Sequence, residues 1–535
     1  MRFFGVIFIL FLVITGSAQQ KLLPLNQQFS TWEEANFNHT DNTVHTGIRP
    51  ILESDFNYDS LKTTQDEYIN RTERTKWLGR KLKTEHFINV NQDDFRFSID
   101  PAINMESGQE QSLQPDTTTL YKNIRGIRVQ GDIGKHVSFT TAFYESQVIF
   151  PTYVDAYTRD INTDPLYPTF GIVPGQGRAK SFKSGGFDYG MSSANVSYSP
   201  NSYLNVQLGY GKNFIGEGYR SMLLSDVAFN YPFIKITSKF GKHKKWQYSN
   251  IFSSLKHINR VPTTIATEQQ FIPKGGTFHY LSWVPNGRIQ IGFFEGTIFE
   301  TWNANSSVSK PYNIMEVNPL IGVNSITYGS GGNNNTLMGI NLKITPINYI
   351  TLYGQYVYDN ANKYGYQAGL KIYHLGGLVK NLSVRLEYNS AMPFTYSHNQ
   401  PTQNYGHYGQ PLAHIYGGGF NETLAILNYS YKDIFIQAKY ISASYTDDES
   451  TYNWGKNIFK STSTASTEQI TPAQSTLSFF DFQLGYMVNP AYNMNLVLGA
   501  TLRNLYSSSS SISAQESTYV YFGFRTSLRN LYYDF

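Results

Sequence analysis

From about residue 93 onward, the sequence is built of runs in which every second residue is apolar, and the breaks between the runs are alternately short and long. In "NLSVRLEYNS" (381–390), Leu382, Val384, Leu386 and Tyr388 fall on one side; Ser383, Arg385, Glu387 and Asn389 fall on the other. "TLMGINLKI" sets Met338, Ile340, Leu342 and Ile344 against Leu337, Gly339, Asn341 and Lys343, and "DFQLGYMV" sets Phe482, Leu484 and Tyr486 against Asp481, Gln483 and Gly485. Side chains alternate faces along a strand, so period two predicts strands with one apolar and one polar face.

Such runs number about 18, an even count within the range of bacterial outer-membrane barrels. The breaks "GDIGKH", "SPNSY", "FGKHKKW", "VPNGR", "TPINY", "LGGLVKN", "SYKD" and "NPAYN" are short. Between them fall longer ones, near 102–118, 152–186, 215–230, 260–274, 301–334, 390–417, 446–476 and 507–517. "DNANK" (359–363) stands where a long break is due. Short turns at one end and long loops at the other are the layout of a transmembrane barrel. In hydrocarbon every backbone N–H and C=O must pair, which only a helix or a closed sheet achieves. No apolar run after the N-terminus approaches the roughly 20 residues of a spanning helix, and mean hydropathy is −0.36. The expected fold is therefore all-β: a transmembrane antiparallel β-barrel of about 18 strands with a small N-terminal helical plug segment. The 16% aromatic content, with 41 Tyr, suits girdles at both membrane interfaces.

Three regions are expected. Residues 1–18, "MRFFGVIFILFLVITGSA", read as a cleavable signal peptide: Arg2, an apolar core from Phe3 to Ile14, then small residues before Gln19. Export would direct the chain to the cell outer membrane. With no cysteine, neither disulfides nor a lipidated N-terminus is available. Residues 19–92 are too polar to span lipid and should form a periplasmic or luminal plug with short helices. Ser30 before Glu33 in "STWEEANF" has capping-box spacing, and "EYINRTERTKWLGRKLKTEHF" also reads helical. The basic residues there (Arg71, Arg74, Lys76, Arg80, Lys81, Lys83) are a solvated face or, on the sharper reading, a contact for anionic headgroups or glycans. Residues 93–535 form the barrel.

A net charge of +4 makes no case for nucleic acid. No nucleophile motif, P-loop or His-Glu-x-x-His occurs, so no enzyme, catalytic residue or cofactor is expected. His398, His407 and His414 share one loop at spacings that match no standard metal site; a packed, hydrogen-bonded loop is expected. Charges in or beside strands (Arg125, Arg128, Glu145, Glu295, Arg385, Glu387) should point into the lumen, because one on the lipid face costs about 2–4 kcal/mol at mid-depth. There they pair with each other and the plug, or line a carbohydrate path. For a glycan, Arg385 and Glu387 would join rings from two loops: Tyr396, Tyr405, Tyr408 and Tyr416 in one, Tyr153, Tyr157 and Tyr167 in the other. In "STYVYFGFRTSLRNLYYDF" (517–535), Val520, Phe522 and Phe524 should face lipid, and Leu531, Tyr533 and Phe535 would continue the alternation as a signal for the barrel assembly machinery.

The order of "NIRGIRVQGDIG", "FYESQVIFPTYV", "VPGQGRAKSF", "GYGKNFIGEGYRSMLLSD", "MEVNPLIG", "LYGQYVYD", "EYNSAMPFTYSH", "YGQPLAH" and "YYDF" resembles the RemB-like gliding-motility proteins of Bacteroidota, which are distantly similar to Wzi-type capsule-assembly barrels. The resemblance covers most of residues 90–535. It implies an outer-membrane barrel of about 18 strands with a helical plug. It further implies a role at the cell surface, either holding exported capsular or slime polysaccharide or supporting gliding with motility-associated surface proteins. A porin-like channel for a small solute or glycan is the alternative.

Overall fold

The computed structural model describes residues 21–56, 75–112, 119–160, 170–183, 185–261, 270–303, 308–311, 313–329, 333–360, 363–448, 452–467, 471–508, 514–526 and 529–535. The signal-peptide segment, Arg71, Arg74 and Tyr167 lie outside these residues. Where side chains alternate, the backbone closes a ring of 18 antiparallel strands. The first strand, β1, is made of two segments, Phe95–Pro101 and Asn104–Ser112. Then come β2 (Leu120–Ile133), β3 (Val137–Ile149), β4 (Gly186–Asn201), β5 (Leu204–Gly211) and β6 (Tyr231–Phe240). They are followed by β7 (Trp246–Arg260), β8 (Phe271–Asn286), β9 (Ile289–Glu300), β10 (Asn335–Ile347), β11 (Ile350–Asn360) and β12 (Lys363–Ile372). The ring ends with β13 (Leu382–Ala391), β14 (Phe420–Tyr431), β15 (Ile434–Thr446), β16 (Gln474–Asn489), β17 (Met494–Ser507) and β18 (Gln515–Thr526). β18 pairs back onto β1, with Ser517 opposite Ser112 and Arg525 opposite Asn104, so the sheet has no free edge there.

Two breaks differ from expectation. Much of the long break near 102–118 is strand: Asn104–Ser112 is the half of β1 that reaches β18. At "DNANK", β11 ends at Asn360 and β12 starts at Lys363, a tight hairpin at the end where the other loops are long.

The alternation sorts as the sequence implies. Leu386, Met338, Ile340, Phe482, Leu484, Val520 and Phe522 are exposed on the outer wall, while Arg385, Glu387, Leu337, Asn341, Lys343 and Asp481 are buried inside. An outer skin of this kind suits lipid tails rather than water. At the short-turn end, Phe240, Trp246 and Trp283 stack in neighbouring rungs, with the two indoles 5.4 Å apart.

Three charges expected inside face out instead. Arg125 and Glu145 stand opposite each other across β2 and β3, both exposed. Glu295 faces out from the middle of β9, but it is buried. The chain between β9 and β10 folds down over the outer wall and covers it. The N–H groups of Gly322 and Ser325 donate to its two oxygens at 3.0 and 2.7 Å, the latter from the short helix Val323–Tyr328. Tyr248 donates to the Pro319 carbonyl at 2.6 Å, and Thr277 to that of Glu316 at 2.8 Å. The strap turns its own apolar residues outward: Ile314, Leu320 and Ile326 are 79%, 62% and 87% exposed. Alternation failed locally because polar wall residues need a roof, and a loop supplies it.

Candidate functional site

The inside of the barrel is filled by pieces of its own chain, four of which hold the site, with the β3–β4 connection packed against them. Residues 21–56 carry helix α1 (Thr31–Phe37). Ser30 is its N-cap, but its side chain makes no capping hydrogen bond, so the capping box is not formed. The second piece, residues 212–230, links β5 to β6 and is almost wholly buried. A third, residues 392–419, links β13 to β14. The fourth is the tail after β18, whose residues 529–535 do not extend the wall but turn into the lumen. The tail corrects the expected terminal alternation: Tyr532 and Phe535 are buried in the main core, and Phe535 packs 4.2 Å from the Tyr157 ring.

The plug's own ladders are short, Ile48–Arg49 with Phe214–Ile215 and Gly406–His407 with Gln410–Pro411, so inward polar residues of the wall satisfy further parts of its backbone. Gln355 donates to the Ile215 carbonyl at 2.9 Å and accepts from the Met222 N–H at 2.8 Å; Gln367 donates to the Arg220 carbonyl at 3.0 Å. Glu387 accepts the N–H groups of Tyr219 and Arg220 at 2.7 and 3.1 Å and the Tyr353 hydroxyl at 2.7 Å. A Cβ on Gly218 would lie 2.5 Å from Glu387 Oε2, so this approach requires glycine.

Two buried charge clusters lock these pieces together. In one, Arg220 reaches Glu422 and Asp534, each at 3.1 Å, and Lys439 holds Asp534 at 2.6 Å. His414 meets Glu422 at 2.8 Å. Burial alone would raise the Asp534 carboxyl, but Arg220 and Lys439 outweigh it and hold it well below the usual carboxylate range. In the other cluster, Glu34 on α1 contacts Arg49 at 2.8 Å, Lys371 at 3.0 Å and Arg385 at 2.9 Å. Burial again pulls upward, and Lys371, Arg49 and Arg385 together hold Glu34 low. Its neighbour Glu33 has no such company: burial pushes its carboxyl up to about 7, and its Oε2 is covered with no hydrogen-bond partner among the described residues.

Below the clusters, towards the short-turn end, a cavity of about 160 Å³ remains. Arg385, Lys439, Arg525 and Arg529 line it, together with eight Asn and Gln side chains and Tyr144, Tyr219 and Tyr532. No carboxylate is among its lining residues. Arg385 and Lys439 are already paired with Glu34 and Asp534. Arg525 donates to Gln483 at 2.7 Å, and Arg529 donates to Gln176 at 2.9 Å and lies 4.2 Å over the Tyr144 ring. Among the described residues neither Arg525 nor Arg529 pairs with a carboxylate.

Of the residues singled out in sequence, Arg385 lines this cavity, and Glu387 lies behind it holding the 212–230 loop. The six tyrosines do not stand as open platforms. Tyr396 and Tyr405 are fully buried, stacked on each other at 5.8 Å, with their hydroxyls donated to the carbonyls of Met222 and Leu223. Tyr416 is buried against Phe420 and Tyr445, and Tyr408 is wedged between Phe229 and Phe271. Tyr153, on the helix Thr152–Asp160, donates to the Tyr533 carbonyl at 2.8 Å, beside Tyr157. These loops fold in rather than out, so the rings pack on the plug. The imidazoles are likewise tied in: Nδ1 of His407 accepts the Lys256 N–H, Nδ1 of His398 accepts that of Gln400, and His414 joins Glu422.

Sequence reasoning missed the loop 212–230 and the tail as plug, and with them Arg525 and Arg529 as luminal cations without a carboxylate partner among the described residues. A signal for the loop was present in the apolar run Met222-Leu223-Leu224 inside a long break, where an exposed loop should be polar.

No family model matches the sequence, and no curated protein does. Among solved structures, the chain is similar to Wzi of Escherichia coli, described as an outer-membrane, carbohydrate-binding β-barrel involved in Group 1 capsule assembly. The TM-score is 0.54 at 11% identity, over 94% of this chain and 98% of that chain. It also matches OpdK of Pseudomonas aeruginosa (TM-score 0.42, 9% identity, 81% and 99% covered) and OccAB2 of Acinetobacter baumannii (TM-score 0.41, 11% identity, 80% and 97% covered). What this chain shares with Wzi is the closed β-barrel fold, over nearly the whole of both chains.

Proposed function

We propose that the chain is a non-enzymatic outer-membrane barrel that organises the cell surface by binding an exported capsular or slime polysaccharide. The apolar outer skin supports placement in a membrane, with the short turns in the periplasm and the long loops outside. The barrel assembly machinery would insert it, and outer-membrane lipid would surround it. The observation that carries the saccharide reading is the luminal cavity: amide side chains and tyrosines suited to sugar hydroxyls and rings, two arginines without an acidic partner, and no lining carboxylate. Such a lining favours an acidic sugar, whose carboxylate a guanidinium binds through a charge-assisted, bidentate pair. Wzi, with the same fold, is described as binding carbohydrate, which agrees with this reading. A role in gliding motility rests on the motif resemblance, through polysaccharide or motility-associated surface proteins.

The test is binding of the purified, detergent-solubilised protein to surface glycans separated into acidic and neutral fractions. Deletion of the gene, scored for polysaccharide retention and spreading, goes with it. Binding confined to the acidic fraction supports the proposal. No binding, with retention and spreading unchanged, defeats it. A porin-like channel instead requires steady ion conductance in planar bilayers with the plug in place.

A further inference from the structure

The segment between plug and barrel carries a surface that neither the lumen nor the saccharide reading uses. Helix α2 (Trp77–Lys83) lies outside the lumen, at the outer rim of the short-turn end. Lys83 Nζ donates to the Tyr486 hydroxyl at 3.0 Å and stands 4.6 Å over its ring, and Tyr486 is one of the outward-facing residues of β16. Asn489, at the foot of β16, donates to the carbonyls of Lys81 and Glu85, both at 2.9 Å, and so fixes the helix end. A helix of this length has no stability of its own in water and owes its place to these contacts.

Yet its apolar residues turn away from the protein. Trp77, Leu78 and Leu82 are 61%, 60% and 47% exposed. At about 100° per residue they share an arc of about 140°. Beyond residues 84–86, Phe87 and Ile88 are exposed as well, and Ile88 opens the strand Ile88–Gln92, paired with Phe95–Pro101 of β1, so the patch continues onto the barrel wall. Lys76, Arg80 and Lys83 stand on the other side of the helix; Lys81 falls within the arc but is only 15% exposed and paired with Glu85 at 3.0 Å, and Arg80 pairs with the same carboxylate at 2.7 Å. An exposed Trp and two Leu backed by cations, level with the foot of a lipid-facing strand, are out of place in water and well placed in a headgroup layer.

We infer that α2 is an interfacial anchor: it lies in the leaflet at the short-turn end, with Trp77, Leu78 and Leu82 among acyl chains and its cations against the phosphates of anionic phospholipid. The inference rests on the reading of the barrel as membrane-inserted. It fixes the height of the barrel in the bilayer and seats the plug's exit against the membrane surface.

The absence of native cysteine allows a direct test with the full chain. A polarity-sensitive fluorophore on Leu78→Cys is compared with one on Ser463→Cys, an exposed position at the long-loop end. Each protein is inserted into vesicles of phosphatidylcholine with or without phosphatidylglycerol, and insertion is verified by the gel shift on boiling. The expected result is blue-shifted emission at position 78, quenched by lipids spin-labelled high on the acyl chain, with no such quenching at 463. Quenching at 78 should rise about twofold with phosphatidylglycerol, and Lys76→Glu with Arg80→Glu should abolish that rise. Water-like emission at 78 in a barrel that shows the gel shift overturns the anchor and leaves the barrel reading intact. Quenching indifferent to phosphatidylglycerol overturns the assignment to anionic lipid. A protein with no gel shift overturns both readings together.

Discussion

The guanidinium of Arg220 lies 3.1 Å from the carboxylate of Asp534, a residue 314 positions further along the chain. With Glu422 on its other side, Arg220 joins the luminal loop, the tail and the wall, and all three side chains are shielded from water. Arg220→Met leaves two buried carboxylates facing an apolar group. Removing one partner of a buried ionic group costs about 3–5 kcal/mol. The folded band on an unboiled gel should convert at a lower temperature, and the tail should become open to protease. Arg220→Lys should recover part of the loss, because an ammonium lacks the planar fork that meets both acids. Equal conversion temperatures for the parent and Arg220→Met would remove the cluster from the account of the plug.

The wall was legible in the sequence because period two is imposed at each rung: Leu386 out and Glu387 in follow from position alone. Glu295 was not legible, because its face depends on a roof contributed by residues about 20–30 positions later in the chain, the distant loop N–H groups that satisfy it. The plug was legible only in its first part. The plug was expected over residues 19–92 from their polarity; of these, 21–56 lie in the lumen, whereas Ile88–Gln92 pair with Phe95–Pro101 in the barrel sheet, and 212–230 and 529–535 looked like a loop and a strand end. What makes the loop plug is its fit to Gln355, Gln367 and Glu387, three inward polar residues on separate strands, while the tail is held through Asp534 by Arg220 and Lys439. The expected tyrosine platforms failed for a related reason: composition identifies aromatic loops but not whether they fold in or out.

The plug helix should respond to pH through two adjacent carboxylates that titrate in opposite directions. Glu34 is held below its unfolded value, so its contribution is present above roughly pH 4.3 and is lost only as pH falls well below that. Glu33 is raised to about 7 by burial, so its contribution is present at low pH and lost as pH rises through about 7, when a charge must form without a nearby cation. Stability of the docked plug should therefore peak in weak acid, decline between about pH 4.3 and about 7, and level off above that. Glu33→Gln should flatten that decline, measured by the temperature of gel-band conversion at each pH. An unchanged slope would show that Glu33 is not the group responsible.

The cavity arginines make the saccharide proposal quantitative. A hydrogen bond to a charged group is worth about 1.5–3 kcal/mol, so Arg525→Gln should weaken binding of an acidic glycan by roughly tenfold to a hundredfold. Arg529→Gln should act in the same direction, and neither change should touch a neutral glycan. Neither arginine is ion-paired within the Arg220 cluster among the described residues, and folding is checked separately by the gel shift. Titration calorimetry with the acidic fraction reads the effect; equal affinities for parent and variants would place the glycan elsewhere.

The strap over the outer wall offers the sharpest test of how polar residues survive in that position. Glu295 and His279 are neighbours on β9 and β8, both buried, and His279 spends Nδ1 on Asn250 at 2.5 Å. Without residues 313–328, Glu295 would face lipid from the middle of its strand, and a charge there costs about 2–4 kcal/mol. Replacing 313–328 by a short Gly-Ser linker should therefore lower the conversion temperature and slow refolding into vesicles. If uncovering the carboxylate is the cause, adding Glu295→Leu to the shortened protein should restore most of the loss, because an aliphatic side chain suits the exposed wall. In the intact protein the same substitution should destabilise, since the N–H groups of Gly322 and Ser325 would lose their acceptor under the roof. This sign reversal distinguishes a roof over a charge from a loop that merely adds area: if Glu295→Leu has the same effect in both backgrounds, the strap has no such role.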